Sequence, residues 1–197
     1  MKIKIITQVL VLILIAAFAF SEENHTHKSQ YAGEERRMIK SLSAADIEAL
    51  QNGKGWGLAK AAELNGIPGP VHLLEMKEEI NLSTQQIQAI KDIYGKMKQE
   101  AVPLGLELIE LEKELNNHFT NRTITNVLLR QILQEIAQVH GKLCYVHLST
   151  HLETPDILTN KQITLYNKLR GYTSGDPCEN VPKGHDPEMW KKHHDCL

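Results

Sequence analysis

Four residues with metal-ligand chemistry fall on one stripe: His140, Cys144, His147 and His151, stepping by four, three and four. On an α-helix those steps put the side chains on one face. Imidazole and thiolate are borderline-to-soft ligands that suit a zinc, copper or nickel ion. All four cannot serve one ion, because the ends of the stripe are separated by about 16 Å at 1.5 Å per residue. Two or three can, with help from a second helix or subunit. The alternative is that the stripe is a semi-buried polar flank of a helical interface. A second set lies near the C-terminus: Cys178, His185, His193, His194 and Cys196, with Asp186 and Asp195. A flexible segment can wrap a metal without a preformed site, and His-rich tracts carry that compositional reading. The competing outcomes are a merely solvated tail and a Cys178–Cys196 disulfide, which would remove both thiolates. His25 and His27 form a weaker pair near the N-terminus. Met38, Met76, Met97 and Met189 are too scattered for a copper-binding cluster and read as packing residues.

Constellations for catalysis are missing from the sequence. It holds no Gly-x-Ser-x-Gly, no phosphate loop, no His-Glu-x-x-His and no Cys-x-x-Cys. Cys144 and its neighbouring His share a helix and lack a third orienting group. The expectation is a protein that is not an enzyme. The 197 residues carry 22 Lys plus Arg against 24 Asp plus Glu, a net charge of −2. That near-neutral balance argues against nucleic acid as a partner, because phosphate binding needs a basic excess. Nor is there a nucleotide-binding signature. The chain is 42% apolar, 23% charged and 5% aromatic, which is globular and, with so few aromatics, weighs against an all-β fold.

The elements that must position these groups begin after residue 21. Lys2 and Lys4 precede an unbroken apolar run, Val9 to Phe20, followed by small residues. The run is shorter than the roughly 20 residues of a membrane span but suits a signal peptide over residues 1–21. Export places the chain in an oxidising compartment. Residues 22–80 read as a polar segment with short helices: one or two over 34–52, the second capped by Ser43, then Leu58–Leu64 and Val71–Glu79, the last opening at Pro70. From Ile87 the apolar residues Ile90, Tyr94, Met97, Ala101, Leu104, Leu108, Leu111 and Leu115 recur at alternating steps of three and four. That seam predicts a long helix packed on another helix. Pro103 lies inside it and should curve it without breaking the phase. Asn116–Thr123 is turn-prone. Thr123 or Thr125 then caps a second long helix with its own seam: Leu129, Ile132, Ile136, Val139, Leu143 and Val146. Two long helices with a short connection are antiparallel neighbours. A shorter helix runs from Thr159 to about Leu169. Residues 173–197 show no periodicity and read as an irregular tail. The fold class is therefore all-α: a long antiparallel helical hairpin over 81–172 with short flanking helices.

Two helix openings share one pattern, Leu82-Ser83-Thr84-Gln85-Gln86 and Leu158-Thr159-Asn160-Lys161-Gln162. Each is a capping box, in which hydroxyl and glutamine satisfy each other's backbone N–H groups. One opens the first long helix and the other follows the hairpin, so the two can meet at one end. This arrangement resembles the Spy/CpxP family of periplasmic proteins, the family of the LTxxQ motif. The nearest branch is that of heavy-metal-sensor and zinc-resistance-associated proteins. The second opening matches the motif fully, and the first has Ser for Thr. Leu165–Tyr172 and the upstream Ala61-Ala62-Glu63-Leu64-Asn65-Gly66 are similar to that branch too.

The resemblance implies a hairpin that dimerises into a cradle, without enzymatic activity, in the periplasm. Leu82, Ser83, Gln86, Leu158, Thr159 and Gln162 take the motif roles. It implies metal responsiveness or ATP-independent chaperoning, with unfolded envelope proteins or a membrane sensor as partners besides a second copy. The His and Cys residues outside the motif favour the metal function, with chaperoning or envelope-stress modulation as the alternative.

Overall fold

A computed structural model describes residues 29–172, 181, 186–193 and 196. The chain divides into two compact units, residues 1–36 and 37–197. The described part of the first holds a single 3-10 turn, Glu34–Arg36. Among the described residues of the second, the regular structure is helical: α1 (Ala44–Gln51), α2 (Lys60–Glu63), α3 (Pro70–Glu75), α4 (Thr84–Thr120), α5 (Asn126–Glu153), α6 (Asn160–Leu169) and α7 (Pro187–His193), with a 3-10 turn at Pro155–Ile157. No helix among the described residues is long and apolar enough to cross a membrane. The expected signal run lies outside them.

The seams do what their spacing requires. Along α4, Ile90, Met97, Ala101 and Leu108 are buried, and Tyr94, Leu104 and Leu111 pack at their margins. Along α5, Ile132, Val139, Leu143 and Val146 are buried. Met97, Ala101 and Leu108 meet Val139, Leu143 and Val146 in one apolar cluster, so α4 and α5 lie against each other. α4 passes through Pro103 unbroken and ends at Thr120, later than the polar composition suggests. Thr125 caps α5 by accepting a hydrogen bond from the Leu128 amide at 3.2 Å.

The segment before α4 is part of this body. Ile39, Leu42, Leu50 and Leu58 enter the same cluster, and α1 and α3 both pack on α4. Gly105 permits this closeness: a Cβ there would run into the Leu50 carbonyl. α1 opens at a full capping box between Ser43 and Asp46. Three expectations need correction. The helix expected at Val71–Glu79 stops at Glu75, and that at Leu58–Leu64 shrinks to Lys60–Glu63. Gly57 and Gly66, both at positive φ, bound the shorter α2, whereas α3 ends because Met76 leaves the helical region at φ −103° and ψ 22° and the chain goes on in turns to Asn81. The tail expected to be irregular contains α7, because Asp186 accepts from the Glu188 and Met189 amides at 3.0 and 2.9 Å and Pro187 occupies the first helical position.

Candidate functional site

Both glutamine motifs fold as capping boxes. Ser83 Oγ accepts from the Gln86 amide at 3.2 Å, and Gln86 Oε1 accepts from the Ser83 amide at 2.9 Å. Thr159 Oγ1 accepts from the Gln162 amide at 3.3 Å, and Gln162 Oε1 from the Thr159 amide at 2.9 Å. The two side chains then meet. Gln86 Nε2 donates to Gln162 Oε1 at 2.9 Å, and Gln162 Nε2 donates to Gln86 Oε1 at 3.0 Å. Each amide also reaches the carbonyl just ahead of the other motif's leucine: Gln86 to Ile157 at 2.8 Å, Gln162 to Asn81 at 3.3 Å. The clasp is thus nearly symmetric. Beneath it, Leu82 joins Leu73, Ile80, Ile90 and Tyr166 in a second apolar cluster, with Leu158 at its edge.

A cavity of about 440 Å³ opens among α2, α3, α5 and the end of α6, and Glu63, His72, His147 and His151 all line it. His147 and His151 lie one turn apart on α5, each 4% exposed. His147 Nε2 is buried without a hydrogen-bond partner. Burial, and to a lesser degree the neighbouring His151, pushes the His147 pKa below its ordinary 6.5, so the ring favours its neutral form. His151 Nδ1 lies 2.9 Å from the Ile67 carbonyl. A carbonyl can only accept, so Nδ1 carries the proton and Nε2 of the neutral ring is the lone-pair nitrogen. Gly69 lies against that nitrogen: a Cβ on Gly69 would come within 2.8 Å of His151 Nε2 and 3.3 Å of Glu63 Oε1.

Glu63 is the hub of the polar wall. Its Oε2 accepts from Tyr172 at 2.7 Å and from Arg170 Nη2 at 3.0 Å. Its Oε1 faces Tyr166 at 3.3 Å and His72 Nε2 at 3.5 Å. Burial alone would raise the Glu63 pKa, but the Tyr172 hydroxyl, His72 and Arg170 outweigh it and hold the carboxyl below its ordinary 4.5. Burial, then Glu63, raises the Tyr172 pKa, so its phenol remains a donor. Glu75 Oε2 accepts a hydrogen bond from the His72 Nδ1–H at 2.8 Å, which leaves Nε2 toward Glu63.

The predicted stripe therefore divides. His147 and His151 turn into the cavity, whereas Cys144 Sγ and His140 Nδ1 lie 3.6 Å from each other beside Trp56 in a separate shallow pocket. The His140 and Trp56 rings meet edge-on at 6.1 Å. Cys144 is a free thiol, whereas Cys196 is disulfide-bonded, and a bridged sulfur is no thiolate ligand. Cys178, His185 and His194 lie outside the described residues, as do His25 and His27; His193 ends α7. Among the described residues, no group of three His, Cys, Asp or Glu side chains stands close enough together to hold a metal ion. Sequence reasoning passed over Glu63 and His72. They flank the Asn65–Pro70 turn, and nothing in its spacing signals that it folds against α5.

No protein-family model, curated protein or solved structure matches the chain significantly.

Proposed function

We propose that this chain is an exported, non-enzymatic, metal-responsive helical protein on the Spy/CpxP plan. In this reading α4 and α5 form an antiparallel hairpin that pairs with a second copy, and the N-terminal apolar run directs it to the periplasm. One observation carries the metal function: two buried imidazoles one turn apart, one with a partnerless Nε2, on the wall of a cavity that Glu63 and His72 also line. A buried polar nitrogen without a partner costs stability, and a bound cation offsets that cost. Kinship with the family draws its support from the reciprocal Gln86–Gln162 amides. Calorimetric titration of the reduced protein with zinc, copper and nickel tests the reading. Binding that disappears on His147→Ala is the expected result, and no heat with any of the three metals rejects it.

Client binding without ATP is the second reading. It is favoured by Val127, Tyr145 and Leu152 on α5, which are 79%, 72% and 70% exposed. Exposed apolar side chains on a rigid helix can grip unfolded chains. Suppressed aggregation of a denatured client at near-stoichiometric ratio is its expected signature, and none at any ratio dismisses it.

A further inference from the structure

We infer that Glu63, His72, His147 and His151 form one binding site for a divalent first-row cation, with Arg170 and Tyr172 as positioning residues. The inference rests on the metal reading above and gives it a ligand set that differs from the α5 stripe. Two ligands come from α5, one from α3 and one from α2, so the site draws on three elements that line one cavity.

The orientation of each group is the main argument. Histidines that bind metals usually donate their second ring N–H to a carbonyl or carboxylate, which fixes the ring and its tautomer. His151 Nδ1 has the Ile67 carbonyl at 2.9 Å, and His72 Nδ1 has Glu75 at 2.8 Å. Both rings thus direct Nε2 inward. The carboxylate is arranged in the same way. Arg170 and Tyr172 hold Glu63 Oε2, and Oε1, which accepts from the Tyr166 hydroxyl at 3.3 Å, faces His72 Nε2 3.5 Å away. His147 adds an Nε2 that is buried and has no partner at all. A cation that takes these nitrogens and Oε1 satisfies the orphaned His147 nitrogen and leaves the hydrogen bonds at both Nδ1 atoms and at Glu63 Oε2 in place. Gly69 keeps the space between His151 Nε2 and Glu63 Oε1 free of a side chain.

The donor set fixes the class of ion. Three imidazoles and one carboxylate suit zinc, nickel or cobalt(II) at about 2.0–2.2 Å. No thiolate takes part, since Cys144 lies in the other pocket with His140. Coordination must draw the ligands together, because they are not yet within bonding distance of a common point. That closure joins α2, α3 and α5, and through Arg170 and Tyr172 it also engages the end of α6.

The test uses the full chain, freed of metal, titrated with zinc by calorimetry and with cobalt(II) by visible absorption. We expect a site whose zinc affinity falls at least about tenfold in His72→Gln and in Glu63→Gln. Tyr172→Phe should weaken zinc about tenfold and shift the cobalt bands, which a purely structural role would leave unmoved. The double variant His140→Gln/Cys144→Ser should bind as the parent does. If Glu63→Gln fails to fold, His72→Gln carries the test, since that side chain is 32% exposed. Parent-like affinity in His72→Gln overturns this site while the metal reading stands, with the ion held elsewhere in the chain. No binding by the parent protein overturns both.

Discussion

The glutamine clasp and the α5 cavity are both built from polar side chains between distant segments, yet they end in opposite states. At the clasp, Gln86 and Gln162 spend their amide oxygens and nitrogens on each other and on four backbone groups. At the cavity, His147 Nε2 is buried without a partner. A fully satisfied polar network specifies one arrangement of its elements. A buried group left unpaired costs stability and needs another reason to persist. The clasp is therefore read as a device of the fold, and the cavity as a site that awaits a ligand.

The largest test of this contrast lies outside both regions, in the body that carries them. Gly105→Ala should cost about 3 kcal/mol, because the new Cβ has backbone rather than a flexible side chain in its way. Denaturant unfolding checks it, and a change below about 0.5 kcal/mol would mean that α1 is free to move off α4. Next comes the clasp. Gln162→Ala removes the α6 capping box and leaves the Gln86 amide half-paired, at a cost of about 2 kcal/mol. Gln86→Ala should cost about the same, and the double variant clearly less than the sum of the two. Strict additivity in that cycle would show that the two amides do not act together.

What was legible in the sequence follows from the range over which each signal acts. Steps of three and four fix α4 and α5 because the helix repeat is local, and Ile90, Leu108, Val139 and Leu143 are buried where the seam puts them. Hydroxyl-x-x-Gln fixes two caps for the same reason. The stripe of His140, Cys144, His147 and His151 was legible as a stripe but not as two pairs. All four share a face, yet what covers that face changes along α5. Trp56 lies beside the first pair, and Ile67 and Gly69 lie beside His151. Glu63 and His72 stayed hidden because no local period links a turn to a helix some 80 residues further on. The α7 helix was missed although Asp186-Pro187-Glu188 is a helix start in itself.

The opposite sign is expected at the cavity. His147→Leu replaces an unpaired buried imidazole with an apolar side chain and should stabilise the metal-free protein by about 1 kcal/mol. For a chain of this size that raises the Tm by about 2–4 °C. The same variant should lose the metal-dependent rise in Tm that the parent gains from zinc. Stability traded against a ligand is common where a site keeps polar groups poised. A lower Tm in metal-free His147→Leu would mean that the ring is already satisfied, and the contrast between clasp and cavity would fail.

The smallest effect connects the paired body to the cavity wall. Asp46 accepts from the Ser43 hydroxyl at 2.6 Å, the Ser43 amide at 2.8 Å and the Trp56 indole at 2.9 Å. These bonds, Ser43 first and Trp56 next, hold its carboxyl below the ordinary 3.8. A carboxyl whose pKa is lowered by folding contributes stability that is fully present above its unfolded value and is lost as pH falls through its folded one. Asp46→Asn should therefore lower stability by less than about 1 kcal/mol at neutral pH and flatten the loss of stability below pH 3.8. Trp56 also lines the cavity, so if this carboxylate holds the wall in place, Asp46→Asn should weaken zinc slightly as well. Unchanged zinc affinity with a flattened acid limb would confine Asp46 to capping α1 and leave the cavity independent of the body beneath it.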